Sequence, residues 1–327
     1  MATAMGSLRR LFMAPSLHDV SFAGRGFPVT GTPATAQLEA VPQTVVTGFE
    51  WGIEAKDLGE IERRLSLVDL ELQGFAYEGA TMASVIRDAM PGRGGRTRAL
   101  LQGAGRRHIF LNYIGIGFAM AKLPRPLWRK VMPDDLDGEE FYPPMSWLAV
   151  DGYGFDRAYF DPARWVDDQR LDTPYAWDGR PDYFQRAVDQ GIGRALWFIH
   201  GAHVEHVCAA VRRFASGRQP DLWAGVGLAA TFAGCSTADE LTALRAGAGE
   251  LKGHVAQGSV FAAKARHFSA TVPDHTRAAL CALAGITVEA AAVLADATAP
   301  PPSAAGDVPP YELWRRAVRE KLPLNAR

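Results

Sequence analysis

Gly115-Ile116-Gly117-Phe118-Ala119-Met120-Ala121 is two spaced glycines followed by helix formers that run on to Pro124. Its arrangement recurs at Gly152-Tyr153-Gly154-Phe155, Gly191-Ile192-Gly193-Arg194 and Gly225-Val226-Gly227-Leu228. Looser versions stand at Gly74-Phe75-Ala76-Tyr77 and Gly258-Ser259-Val260-Phe261. The six lead glycines lie 33 to 41 residues apart, a period that belongs to helix–turn–helix repeats. A glycine inside a helix costs about 1 kcal/mol relative to alanine. Glycines recurring in pairs therefore predict the close approach of a neighbouring helix backbone. The second residue after each lead glycine is small or β-branched, and the third is large and apolar except at Arg194.

Between these segments lie stretches with a helical apolar period. Val204, Val207, Cys208, Val211 and Phe214 share one face, with Glu205, Arg212 and Arg213 on the other. Leu241 to Leu251 and Ala278 to Ala284 are similar. The fold expected is all-α, a helix-hairpin repeat array of the TPR-like solenoid kind. Residues 1–45 read as an extended N-terminal arm, 46–295 as the repeat domain, 296–310 as a Pro/Ala linker and 311–327 as an amphipathic capping helix. Met132 to Pro144 and Asp161 to Pro181 read as surface loops.

Charge is balanced, 35 basic against 36 acidic residues, so no overall field favours nucleic acid. No apolar run approaches the roughly 20 residues that span a bilayer. Membrane insertion is not expected, and Met1 to Pro15 lacks a signal-peptide core, which points to the cytoplasm. Cys208, Cys235 and Cys281 have no CxxC spacing, so they suggest neither a disulfide frame nor a zinc cluster. A GxSxG elbow, a P-loop, an HExxH motif and a dinucleotide fingerprint are all missing. No cofactor is evident. His200, His203 and His206 fan over about 120° of a helix surface and read as surface or capping histidines; no metal site is expected.

Polar departures from the repeat are the better candidates. Glu78 and Asp156 stand four residues after a lead glycine, where the other four units have alanine. The residues just before the lead glycines are Gln73, Ile114, Asp151, Gln190, Ala224 and Gln257. Such a column bonds neighbouring helices or faces a groove. Glu78, Asp151 and Asp156 are the acid/base candidates. Tyr77, Tyr113, Phe118, Tyr153, Gln190, Arg194, Trp197, Gln257 and Lys264 are the candidate substrate contacts. Arg93, Arg96, Arg98, Arg106 and Arg107 form a basic, glycine-rich stretch suited to phosphate or an acidic partner.

The blocks Arg25-Gly26-Phe27, Gly74 to Ala80, Tyr113 to Pro124, Asp151 to Phe155, Gln190 to Phe198, Leu222 to Thr231 and Gln257 to Arg266 occur in that order. Together they resemble the UnbL-like family, uncharacterised proteins encoded in bacterial enediyne antibiotic gene clusters. The resemblance spans about residues 20 to 285; the acidic loop around Asp134 and the tail beyond about Ala290 lie outside it. It implies work on the hydrophobic linear polyene that becomes the enediyne core, beside a polyketide synthase, its acyl carrier protein and other cluster proteins. Converting a polyene to diyne units removes hydrogens, so a redox cofactor would come from a partner or an unrecognised site. The alternative is a non-catalytic scaffold or chaperone for the carrier-bound intermediate.

Overall fold

The computed structural model describes residues 4–91, 94–134, 136, 139, 141–301 and 306–323. Among them every regular element is helical and no strand occurs. Arg93 and three acids of the 132–144 loop, Asp135, Asp137 and Glu140, lie outside the described residues. Seven long helices form the inner layer: α1 (Pro33–Glu54), α2 (Leu70–Ala89), α3 (Ile109–Lys122), α4 (Trp147–Phe160), α5 (Pro181–Ile199), α6 (Gln219–Ala233) and α7 (Lys252–Phe268). Each packs against the next in chain order. Shorter helices, among them Val204–Arg213, Ala238–Gly247 and Asp274–Ala284, pack on one another as an outer layer. The helix α8 (Pro310–Lys321) packs on α7.

Glycine sets this packing. A methyl group on Gly115, Gly152, Gly191, Gly225 or Gly258 would overlap the backbone carbonyl of Glu78, Ile114, Asp151, Gln190 or Ala224 in the preceding helix. One on Gly117, Gly154, Gly193 or Gly227 would overlap the carbonyl of Ala149, Val188, Leu222 or Val255 in the following helix. Each doublet thus serves both neighbours, the return for its cost in helix propensity.

The same contacts correct the register of the first unit. Gly79 meets the carbonyl of Val45 and Gly48 meets that of Ala76, whereas Gly74 faces only side chains, Leu111 and His108. The lead glycine of α2 is therefore Gly79. Glu78 belongs to the column of Asp151 rather than that of Asp156. In α1, Val46 and Gly48 hold the places against α2 that a lead residue and its second glycine hold in the later helices.

The stretch expected to be an extended arm is largely helical, with short helices at Ala4–Met13, Leu17–Val20 and Phe22–Arg25 before α1 begins at Pro33. Thr32 caps α1 in a reciprocal box with Thr35, and Pro33 fills the first turn, where no N–H is needed. Pro42 reads as a breaker in sequence but sits inside α1. The row also curls. Phe75 of α2 meets Phe232 of α6 with ring centroids 5.4 Å apart, and Arg266 of α7 donates to the carbonyls of Glu71 and Phe232 at 2.9 and 2.7 Å. Among the described residues no single helix is long and apolar enough to cross a membrane; the pair Asp274–Ala284 and Val288–Thr298 passes only jointly, across a 65° bend.

Candidate active site

The curl encloses two apolar chambers. The first is bounded by Val41, Val46, Phe49, Met82, Phe118, Phe155 and Tyr159, with Pro15, Lys122 and Phe160 toward solvent. The second is lined by Leu111, Ile114, Leu148, Leu228, Phe232, Phe261 and Ala262. Phe75, Glu78, Arg194 and Phe198 line both and form a waist between them. In the corrected register the lining follows from helical periodicity. The third residue after each lead position, Phe49, Met82, Phe118, Phe155, Arg194, Leu228 and Phe261, points inward from all seven helices. One turn further on, Lys122, Tyr159, Phe198, Phe232 and Ala265 join them.

Glu78 is the unusual group. It is 2% exposed, and its Oε1 has no hydrogen-bond partner. Burial raises its carboxyl to about 8, with Arg194 opposing and Asp151 adding to the shift. A neutral, proton-bearing acid therefore faces the apolar waist near pH 7. Arg194 does not quench it, because its Nη1 is bound to Asp151 and its guanidinium lies 5.0 Å from the Phe155 ring centroid. Burial also raises Asp151, with Arg194 pulling it back. Asp156 lines the first chamber and pairs with Lys122 at 3.0 Å.

The other sequence candidates scatter. Phe118 lines the first chamber. Tyr77 turns to the outer side and stacks on His108, 4.8 Å between centroids. Tyr113 borders a small separate pocket with Leu136 and Phe268. Tyr153 donates to Asp172 at 2.7 Å, and Trp197 donates to the Gly234 carbonyl at 3.1 Å. Gln190 accepts from Tyr311 at 3.1 Å and Gln257 from Arg315 at 3.0 Å, while Lys264 pairs with Asp296 at 2.6 Å. None of these seven lines either chamber. The four described arginines of the basic stretch make contacts within the protein. Arg96 donates to the Lys56 carbonyl, Arg98 to Gln102, Arg106 to Glu139 and Arg107 to the Ser269 carbonyl. The rings of His203 and His206 stack at 3.9 Å, and among the described residues no group of three or more His, Cys, Asp or Glu is placed to hold a metal ion.

Sequence reasoning missed Phe75, Lys122, Phe198 and Phe232, which lie outside the positions compared between units. It also missed the buried cluster around Arg315. That guanidinium donates to Asp221 at 2.6 Å, Glu312 at 2.8 Å, the Tyr183 hydroxyl at 3.0 Å and Gln257. It fastens α8 to α5, α6 and α7. The only available signal was an arginine on the apolar side of a short helix.

Fold and site together define an all-helical protein with an apolar, two-chambered interior and an unpaired acid at its waist. The chain belongs to a family described as a protein of unknown function, DUF1702, whose model matches residues 4–322. No curated protein and no solved structure matches it.

Proposed function

We propose that the protein binds a long, apolar, unsaturated chain across the two chambers, with protonated Glu78 donating a hydrogen bond to a carbonyl oxygen at the waist. The single observation that carries this is the unpaired Glu78 carboxyl between two apolar chambers. An ionised carboxylate there would be costly without a partner, whereas the neutral acid makes a directional donor. The aromatic rings of Phe75, Phe118, Phe155 and Phe198 supply stacking faces for a flat conjugated chain. We read the row as a curled helix-hairpin repeat array that uses its inner face, as such arrays do. Taken with the resemblance to the UnbL-like family, the ligand we propose is a linear polyene intermediate of enediyne polyketide assembly.

The test is a fluorescence titration with a conjugated polyene hydrocarbon and with a polyenone of equal length. Wild-type protein should bind both, the polyenone by about 10-fold more tightly, the worth of one hydrogen bond. Glu78→Leu should equalise them. Leu228→Trp, which fills the deep chamber from a half-buried position, should weaken both. Failure of both probes to bind the wild type would sink the reading.

A further inference from the structure

We infer that the mouth of the first chamber recognises a carboxylate, so that the ligand is an unsaturated acid with its head at Lys122 and its tail toward Glu78. The inference rests on the cavity reading above and adds the chemistry of one end of the ligand.

Three cations surround one acid at this mouth. Lys122 is the solvent-facing one, its side chain 42% exposed, with Nζ 3.0 Å from Asp156 and 4.5 Å from the Phe160 ring centroid. Arg157 and Arg25 also act electrostatically on Asp156. Arg157 donates through Nη2 to the Ala121 carbonyl at 2.9 Å, and Arg25 through Nη2 to the Phe160 carbonyl. Both keep a buried Nε–H with no partner. Backbone carbonyls orient these guanidiniums without neutralising them. The other acids nearby, Glu39 and Asp161, keep their charge while accepting from the Phe22 and Arg164 N–H groups. Lys122 and Arg25 flank the Phe160 ring where the apolar chamber opens, 4.5 and 5.2 Å from its centroid.

An ammonium and a guanidinium flanking one ring at the opening make a site for a carboxylate, which such donors bind with charge-assisted hydrogen bonds. Asp156 holds Lys122 while the mouth is empty, and an incoming carboxylate competes for the same Nζ. The second chamber is lined by apolar side chains apart from Glu78 and Arg194 at the waist, and Arg266 behind Phe232 is turned to the Glu71 and Phe232 carbonyls. Among the described residues only the first chamber has a cation in its lining outside the waist, Lys122, which sets the head outward.

The experiment compares a linear conjugated tetraenoic acid with its methyl ester, by fluorescence titration at low and high salt. The acid should bind wild-type protein at least about 10-fold more tightly than the ester, with salt eroding only the difference. Asp156→Asn, which frees Lys122 from its internal partner, should tighten the acid and leave the ester unchanged. That gain cannot be produced by misfolding. Lys122→Met should remove most of the acid's advantage, with circular dichroism checking the fold. Equal affinities for acid and ester in the wild type, or an Asp156→Asn variant that does not tighten the acid, would overturn the carboxylate site while leaving the cavity reading standing. If neither probe binds, both readings fall.

Discussion

Glu78 and Glu312 are both buried glutamates next to arginine, and they have opposite fates. Burial works against ionisation of Glu312, yet Arg315, Arg186 and Arg319 pull its carboxyl down to about 2. At Glu78 burial prevails and the carboxyl rises to about 8. Partners explain the contrast. Glu312 accepts from Arg315, Arg316, Arg319 and Tyr183. Glu78 leaves Oε1 without a hydrogen bond, and the nearby Arg194 is committed to Asp151. In one cluster both carboxylates are paired, although Arg315 Nη2 and Arg319 Nη1 have no hydrogen-bond partner, and it holds α8 against the inner layer. In the other the acid is unpaired and faces a cavity. Pairing of the carboxylate separates an architectural charge from one available to a ligand.

The contrast breaks most forcefully at Arg315, which is fully buried. Arg315→Met takes the fully buried partner from Asp221 and Glu312, leaving Asp221 to Arg186 and Glu312 to Arg186, Arg316 and Arg319, and stability should fall by about 3 kcal/mol, seen as a large drop in the thermal midpoint. A loss below about 1 kcal/mol would show that the paired cluster is not what fastens α8.

The next effect lies in pH. Glu78 has a folded value above its unfolded one, so its neutral form contributes stability below about 4.5 that is lost as pH rises toward about 8. Glu312 has the opposite sign: its contribution is present above about 4.5 and is lost as pH falls toward about 2. Denaturant melts of Glu78→Gln against wild type should differ by a few kcal/mol more at pH 8 than at pH 4.5, in favour of the variant. Burial lowers His200 and His254 to about 4, which adds losses below about 6.5 common to both proteins. Identical pH profiles for the two proteins would refute an elevated Glu78.

A smaller shift sharpens the waist. Asp151→Asn removes the acid that raises Glu78 and releases Arg194, which lowers it. The midpoint of the pH dependence assigned to Glu78 should move down; an upward move would mean that Arg194 does not act on it. Least of all, Tyr153→Phe removes a hydrogen bond to Asp172 outside the chambers. It should cost about 1 kcal/mol and leave polyene affinity untouched, and an affinity change would place Tyr153 in the site after all.

The glycine doublets made the helices and their close packing legible, because a costly residue at a fixed offset needs a neighbouring backbone to justify it. Arg194 stands out as an exception to the pattern for the same reason, whereas Glu78 does so only in the alignment on Gly74 and in the corrected register takes its place in the column of Asp151. Alignment of the first unit on Gly74 went astray because α2 carries two glycines five residues apart, and only contact with α1 shows that Gly79 is the one pressed against a carbonyl. The aromatic candidates fared worse. Tyr77, Tyr153 and Trp197 are as apolar as the chamber residues, and sequence periodicity does not say which face of a helix buried on all sides meets a cavity.

What the sequence by itself determined was therefore local: helical segments, their glycine-mediated contacts and the charges that break an apolar rule. Those features depend on spacing within one helix and on its adjacent neighbours. Only the tertiary structure decided that the row curls until Phe75 meets Phe232, that Asp151 takes Arg194 away from Glu78, and that Arg315 joins its cluster from 58 residues beyond Gln257. Each depends on groups far apart in the chain, where pairing in a low-dielectric interior is set by geometry that no local pattern records.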